Sequence, residues 1–145
     1  MANGSVAQQT PSADPEAPSA EHIKACQRLK EMLPGRVAQE TEQLAKWKAE
    51  YAALDAEGKA QWAKSLLREI MKEQEITSIF SQLGTSKIVV LMATYKNTRD
   101  MLWLLEIRPD LTDSAGEALS PEGVAIITKS RDEALAQLED LAAEA

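Results

Sequence analysis

The first residues that could do chemistry are His22 and Cys26. They stand four apart on a segment of helical character, so they share a face, and a face-sharing His and Cys can reach one metal ion. Zinc wants three or four such ligands, and these are the only His and Cys in the chain. A symmetric dimer could complete a site from two of each. The simpler reading is a semi-buried cysteine beside a surface histidine, so no metal is expected. Nor do they suggest a nucleophilic centre, since no third group is visible to orient the histidine.

The carboxylates are many, and their default role is a solvated helix surface. Helical nucleotide pyrophosphatases use paired Glu-x-x-Glu and Glu-x-x-Asp clusters. Glu69, Glu73 and Glu75 come nearest to such a cluster and lack a second one to face. There is no Gly-rich phosphate loop, no cysteine-pair metal motif and no Glu-x-x-His. The expectation is a protein without catalysis, cofactor or metal. A third set is basic: Lys64, Arg68 and Lys72 recur every four residues along one helical face. That row could meet phosphates, pair with an acidic helix, or remain solvated.

These residues must be positioned by helices. The chain's centre is Ser86–Ile107, its most apolar stretch, free of Gly and Pro and lying between Gly84 and Pro109. Ser86 or Thr85 can cap its start. At a period of 3.6, Ile88, Val89, Val90, Leu91, Met92, Ala93 and Tyr95 point in all directions, which predicts a buried helix. Lys96–Asp100 is polar in every direction. It sits at a bundle edge, or the chain turns there and 88–95 forms a short strand. Tyr95 and Trp103, in this apolar stretch, join the basic row as candidate interaction residues, with Trp103 expected to be buried.

Residues 1–19 are poor in large apolar side chains and read as a disordered arm. A first helix is predicted over Glu21–Leu33, capped by Ser19 and ended by Pro34-Gly35. A second is predicted over Val37–Leu54. Val37, Leu44 and Tyr51 form its seam with Trp47 and Leu54, and Trp47 and Tyr51 are an i, i+4 pair that suits a core. A third starts at the Asp55 cap and runs to about Glu73, burying Ala63, Leu66, Leu67, Ile70 and Met71. The apolar phase then shifts to Ile76, Ile79, Phe80 and Leu83, which predicts a kink or a separate short helix closed by Gly84. The last helix opens at Ser120-Pro121. Its start, Leu119-Ser120-Pro121-Glu122-Gly123, echoes Leu54-Asp55-Ala56-Glu57-Gly58, which reads as shared cap chemistry. Val124–Thr128 is a second candidate strand, with Ser130 and Glu133 as a fresh capping box after it.

The fold expected is all-α: a single-domain bundle of four to five helices over 20–145 around a central apolar helix. The alternative is α+β, with strands near 88–95 and 124–128. At 145 residues one domain is expected. A single cysteine forms no internal disulfide, and neither a signal peptide nor a membrane span is visible, so a cytoplasmic protein is expected. The formal net charge is −7. Residues 110–145 hold 9 acidic and 2 basic side chains and account for all of it, which predicts an acidic C-terminal helix from about 121.

The function expected is a non-enzymatic protein–protein interaction module: an assembly subunit, an adaptor or an inhibitor. Self-association is expected because few apolar side chains are available to cover the central stretch. The alternative is a helix-turn-helix-like nucleic-acid regulator using 76–93 or the Lys64/Arg68/Lys72 row. Ile79, Leu83, Gly84 and Val90 suggest the motif. Lys87-Ile88-Val89 and Leu91-Met92 are too aliphatic for a recognition helix.

Overall fold

A computed structural model of the chain describes residues 19–84, 86–112 and 119–144. They form five helices: α1 (Ala20–Ala38), α2 (Glu40–Ala52), α3 (Ala56–Gln82), α4 (Lys87–Ile107) and α5 (Pro121–Ala143). The protein is an all-α bundle, and the strand alternatives do not form: 88–95 and 124–128 both lie inside continuous helices. The expected arm over 1–19 falls outside the described residues except for Ser19.

Local chemistry sets most of the boundaries. Three helices open on a side-chain oxygen that accepts from a free backbone N–H of the first turn. Ser19 accepts from the N–H of His22 at 3.0 Å, Asp55 from Gly58 at 2.7 Å, and Ser120 from Gly123 at 3.0 Å. The echo between Leu54–Gly58 and Leu119–Gly123 is therefore shared cap chemistry. It also explains the glycines. A Cβ at Gly58 would meet Leu54 at 3.2 Å, and one at Gly123 would meet Leu119 at 3.1 Å. In each case the residue before the cap folds back over the first turn. Gly84 closes α3 with φ of 73°, a left-handed conformation that glycine adopts without penalty. Ser86 stands at the N-cap of α4 but makes no side-chain cap bond, contrary to expectation.

Three predicted boundaries need correction. Pro34-Gly35 does not end α1, which continues to Ala38. The pyrrolidine ring removes one N–H on an exposed face, and the helix runs past it. Val37 consequently belongs to α1, where it is exposed, and α2 begins only at Glu40, one residue beyond the Gln39 joint. The phase shift after Gln74 marks neither a kink nor a new helix, since α3 is continuous for 27 residues. The shift instead marks the point where α3 leaves the core.

Helix α4 is central, as expected, and each part of it meets different neighbours. Ile88, Leu91 and Tyr95 pack with Cys26, Leu29 and Leu33 of α1 and with Ala134, Leu138 and Leu141 of α5. One turn beyond Asp100, Leu104 is fully buried with Ala63 and Ile70 of α3. Trp103 is buried and meets Trp47 of α2 edge-on, with ring centroids 5.3 Å apart. Trp47 in turn meets Trp62 at 6.0 Å, and Tyr51 meets Trp62 at 5.3 Å. Helix α2 buries no residue completely and is held by this aromatic contact. Among the large apolar side chains of α4, Val89 is the exception: it is exposed.

Trp103→Ala should cost about 3–5 kcal/mol, because it removes a large side chain shared by α2 and α4. Urea denaturation followed by circular dichroism measures the loss, and α2 should detach first.

Candidate functional site

Four features of the fold could carry function. The first is the polar girdle of Lys96–Asp100. The expectation was that it lies at a bundle edge or at a turn. It does neither: α4 is unbroken, and Asn97 and Asp100 are buried. The Asn97 amide donates to the Ile70 carbonyl at 2.9 Å. Asp100 accepts from Lys96 Nζ at 3.0 Å, from Arg99 Nη2 at 2.9 Å and from Arg99 Nε at 3.2 Å. The Arg99 guanidinium lies over the Trp103 ring, 4.3 Å from its centroid. Lys96 also reaches Glu73 of α3 at 3.3 Å.

Burial pulls the Lys96 ammonium down, but its bond to Asp100 and the charges of Asp100 and Glu73 outweigh that and hold it above its ordinary value. Asp100 is only 3% exposed and fully occupied by cations, so it cannot meet a substrate. The girdle is a structural layer. Its loose end is Glu40 of α2, whose Oε2 is buried without a hydrogen bond, 3.9 Å from Arg99 Nη1. Burial pushes the Glu40 carboxyl up, and Arg99 and Arg131 only partly oppose it.

The second feature is the C-terminal half of α3. From Met71 to Gly84 every residue is exposed except Thr77, which is half-buried. Ile76, Ile79, Phe80 and Leu83 form one stripe along this arm, and Leu83 is 74% exposed. Val89 of α4 is also exposed. The charged residues of the arm and the start of α4 are Lys72, Glu73, Glu75 and Lys87, two of each sign.

The third feature is an open groove of about 750 Å³ between α3, α4 and α5. Leu67, Met71, Met101, Leu105 and Ile127 give it an apolar lining, and Lys64 and Arg68 stand at its rim. Thr112 and Leu119, which flank the undescribed stretch 113–118, also line it. Lys64, Arg68 and Lys72 are exposed and make no ion pair among the described residues, so of the three roles open to the row, pairing with the acidic helix is not the one adopted here. Of the predicted interaction residues, these three are accessible. Tyr95 and Trp103 are buried in the bundle and present no surface to a partner.

The fourth feature joins α1 to α5. Cys26 Sγ lies 3.5 Å from His22 Nε2, which lies 3.8 Å from Glu144 Oε1. The His–Cys pair was visible in the sequence. Glu144, at the C-cap of α5, was not, because nothing local connects it to the first turns of α1. Burial, and then the Glu144 carboxylate, push the Cys26 thiol up, which leaves it a poor nucleophile.

No family model, no curated protein and no solved structure matches this chain.

Two substitutions test the polar layer. Asp100→Asn should cost about 3 kcal/mol, because it leaves Arg99 without its buried partner. Glu40→Gln should act in the opposite direction. A carboxyl whose folded pKa is raised favours folding when protonated, so the wild type loses stability as pH rises from below the ordinary glutamate range through the raised value. The variant should lack that loss and be more stable at pH 7, by up to about 1 kcal/mol. Denaturation midpoints measured from pH 4 to pH 8 compare the two proteins.

Proposed function

We propose that the protein is a non-catalytic interaction module that self-associates through the projecting arm of α3. The observation carrying this reading is the exposed stripe Ile76, Ile79, Phe80 and Leu83 on a helix that has left its own core. A protein ordinarily keeps such a row against something apolar. Spacings of three and four residues suit helix-against-helix packing. A two-fold contact places one patch against its own copy, so the patch must be self-complementary. The arm meets that demand. Together with Lys87 at the start of α4 it carries no net charge, and the two cations and two anions can face each other across an antiparallel pair. The acidic outer face of α5 would repel its own copy.

The expected source of the apolar excess was the central stretch of α4. The support now lies on α3, since Val89 is the only large hydrophobic of α4 left exposed. This reading sets the protein in the cytoplasm, where its single cysteine stays a thiol. Among the described residues no helix is long and apolar enough to cross a membrane.

Light scattering across concentration and salt tests the proposal. The wild type should be a dimer that persists at high salt, because apolar burial is not screened. Ile79→Asp with Phe80→Asp should give a folded monomer. A wild type that stays monomeric at every concentration overturns the reading.

The nucleic-acid alternative retains one supporting observation, the unpaired row Lys64, Arg68 and Lys72. Its helix-turn-helix version loses support, since α4, the would-be recognition helix, is the buried centre of the bundle. Nor do α3 and α4 cross as such a motif requires. Glu73 meets Lys96 and Ile70 meets Asn97, the pairing of two antiparallel neighbours. If the row binds a nucleic acid, about three phosphates are within its means, giving a salt slope near −3. Gel shifts from low to moderate salt measure that slope.

A further inference from the structure

We infer that His22, Cys26 and Glu144 form a binding site for a divalent transition-metal ion of zinc-like preference, which clasps the start of α1 to the end of α5. One thiol, one imidazole and one carboxylate come together here from two helices, and all three ligand atoms lie within 4.8 Å of one another. Zinc binds sulfur, nitrogen and oxygen at about 2.3, 2.0 and 2.0 Å, so neighbouring ligands on a tetrahedral ion stand about 3.3–3.6 Å apart. The Cys26–His22 separation of 3.5 Å already matches such an edge, and the His22–Glu144 separation of 3.8 Å needs only a small side-chain adjustment.

The arrangement also discriminates against its main rival. Cys26 and Glu144 both face Nε2 of His22. A nucleophile–base–carboxylate relay uses the two ring nitrogens separately, one for the nucleophile and one for the carboxylate. Three atoms converging on one point suit a shared ligand instead. The charges also balance, since a thiolate and a carboxylate neutralise a divalent ion. The thiol S–H bond breaks as the S–metal bond forms, and its proton leaves to solvent. Cys26 lies at the buried base of the cluster, while the His22 and Glu144 side chains are 40% and 58% exposed. An ion can therefore enter from solvent and retain a water in its fourth position, as three-ligand zinc sites do.

The test titrates the full chain with Zn²⁺ against a chromophoric chelator, and with Co²⁺ to read the thiolate-to-metal charge-transfer band. One ion per chain is expected, with that band present in the wild type and absent in Cys26→Ala. His22→Gln and Glu144→Gln should each weaken Zn²⁺ at least about tenfold, since even outer partners of metal ligands cost 10–100-fold. These two variants change a half-buried and an exposed position at the rim of the cluster, so they report on the site even if the buried Cys26 substitution disturbs the fold. No binding at micromolar Zn²⁺ would overturn the inference, as would unchanged affinity in Glu144→Gln. One ion per two chains would do so as well, since it would mean that paired His22 and Cys26 suffice.

Discussion

The bundle depends on a polar layer buried at the middle of its most apolar helix. Asn97 donates to the backbone of α3 at Ile70, and Asp100 gathers Lys96 and Arg99 around itself. An aliphatic α4 could slide or rotate against α3 with little penalty, because apolar packing is not directional. A buried amide cannot, since moving one residue along would leave it without its acceptor. Asn97 thus sets the register of the α3–α4 pair, and the Lys96–Glu73 contact, three residues further along α3 than Ile70, repeats that register at the surface. Arg99 extends the constraint sideways, stacking on Trp103 and approaching Glu40, so that α2 is positioned as well.

The same layer divides the core. On one side Leu29, Leu91 and Leu138 join α1, α4 and α5; on the other Ile70 and Leu104 join α3 and α4. Neither apolar group includes all five helices, and only α4 belongs to both. Removing α4 would therefore leave the two apolar groups with no helix in common. A charged residue at the seam of two apolar clusters is costly unless satisfied. Asp100 is satisfied twice over. Glu40 is not, and its buried oxygen is the place where the layer meets its limit.

What could be read from the sequence was what acts locally. The caps at Ser19, Asp55 and Ser120 and the left-handed close at Gly84 follow from residues within one turn of each boundary, and they appear as expected. The central position of α4 was legible from its all-round aliphatic character, and Trp103 is buried as its flanking leucines implied. Misreadings arose where tertiary context overrides local preference. Pro34 is a helix breaker by propensity, yet α1 passes it on an exposed face. Lys96–Asp100 resembles a turn or a surface band by polarity alone. Only the α3 carbonyl and the aromatic neighbours, distant in sequence, make it an interior layer. Tyr95 is a candidate interaction residue by its place in an apolar run, and that same run buries it. For the His22 cluster, the two residues on α1 are visible by spacing, whereas the approach of Glu144 depends on how α1 and α5 pack.

The exposed arm of α3 carries the helix beyond its own core. Isolated helices of a few turns are marginal in water, because nucleation is costly and tertiary packing supplies most helical stability. The arm escapes that cost by continuing a helix already nucleated in the core, where Ala63 and Ile70 are buried. The Asn97 and Lys96 contacts fix the last packed turn before it projects. Beyond them the arm is exposed among the described residues along most of its face, so its stability should fall toward Gly84, as helix ends with few contacts open most readily. The apolar stripe lies on this least stable portion. A partner helix laid along Ile76, Ile79, Phe80 and Leu83 would remove apolar surface from water and suppress the fraying in one step. The binding energy would then appear partly as order in α3, which connects an outer surface to the register held at Asn97.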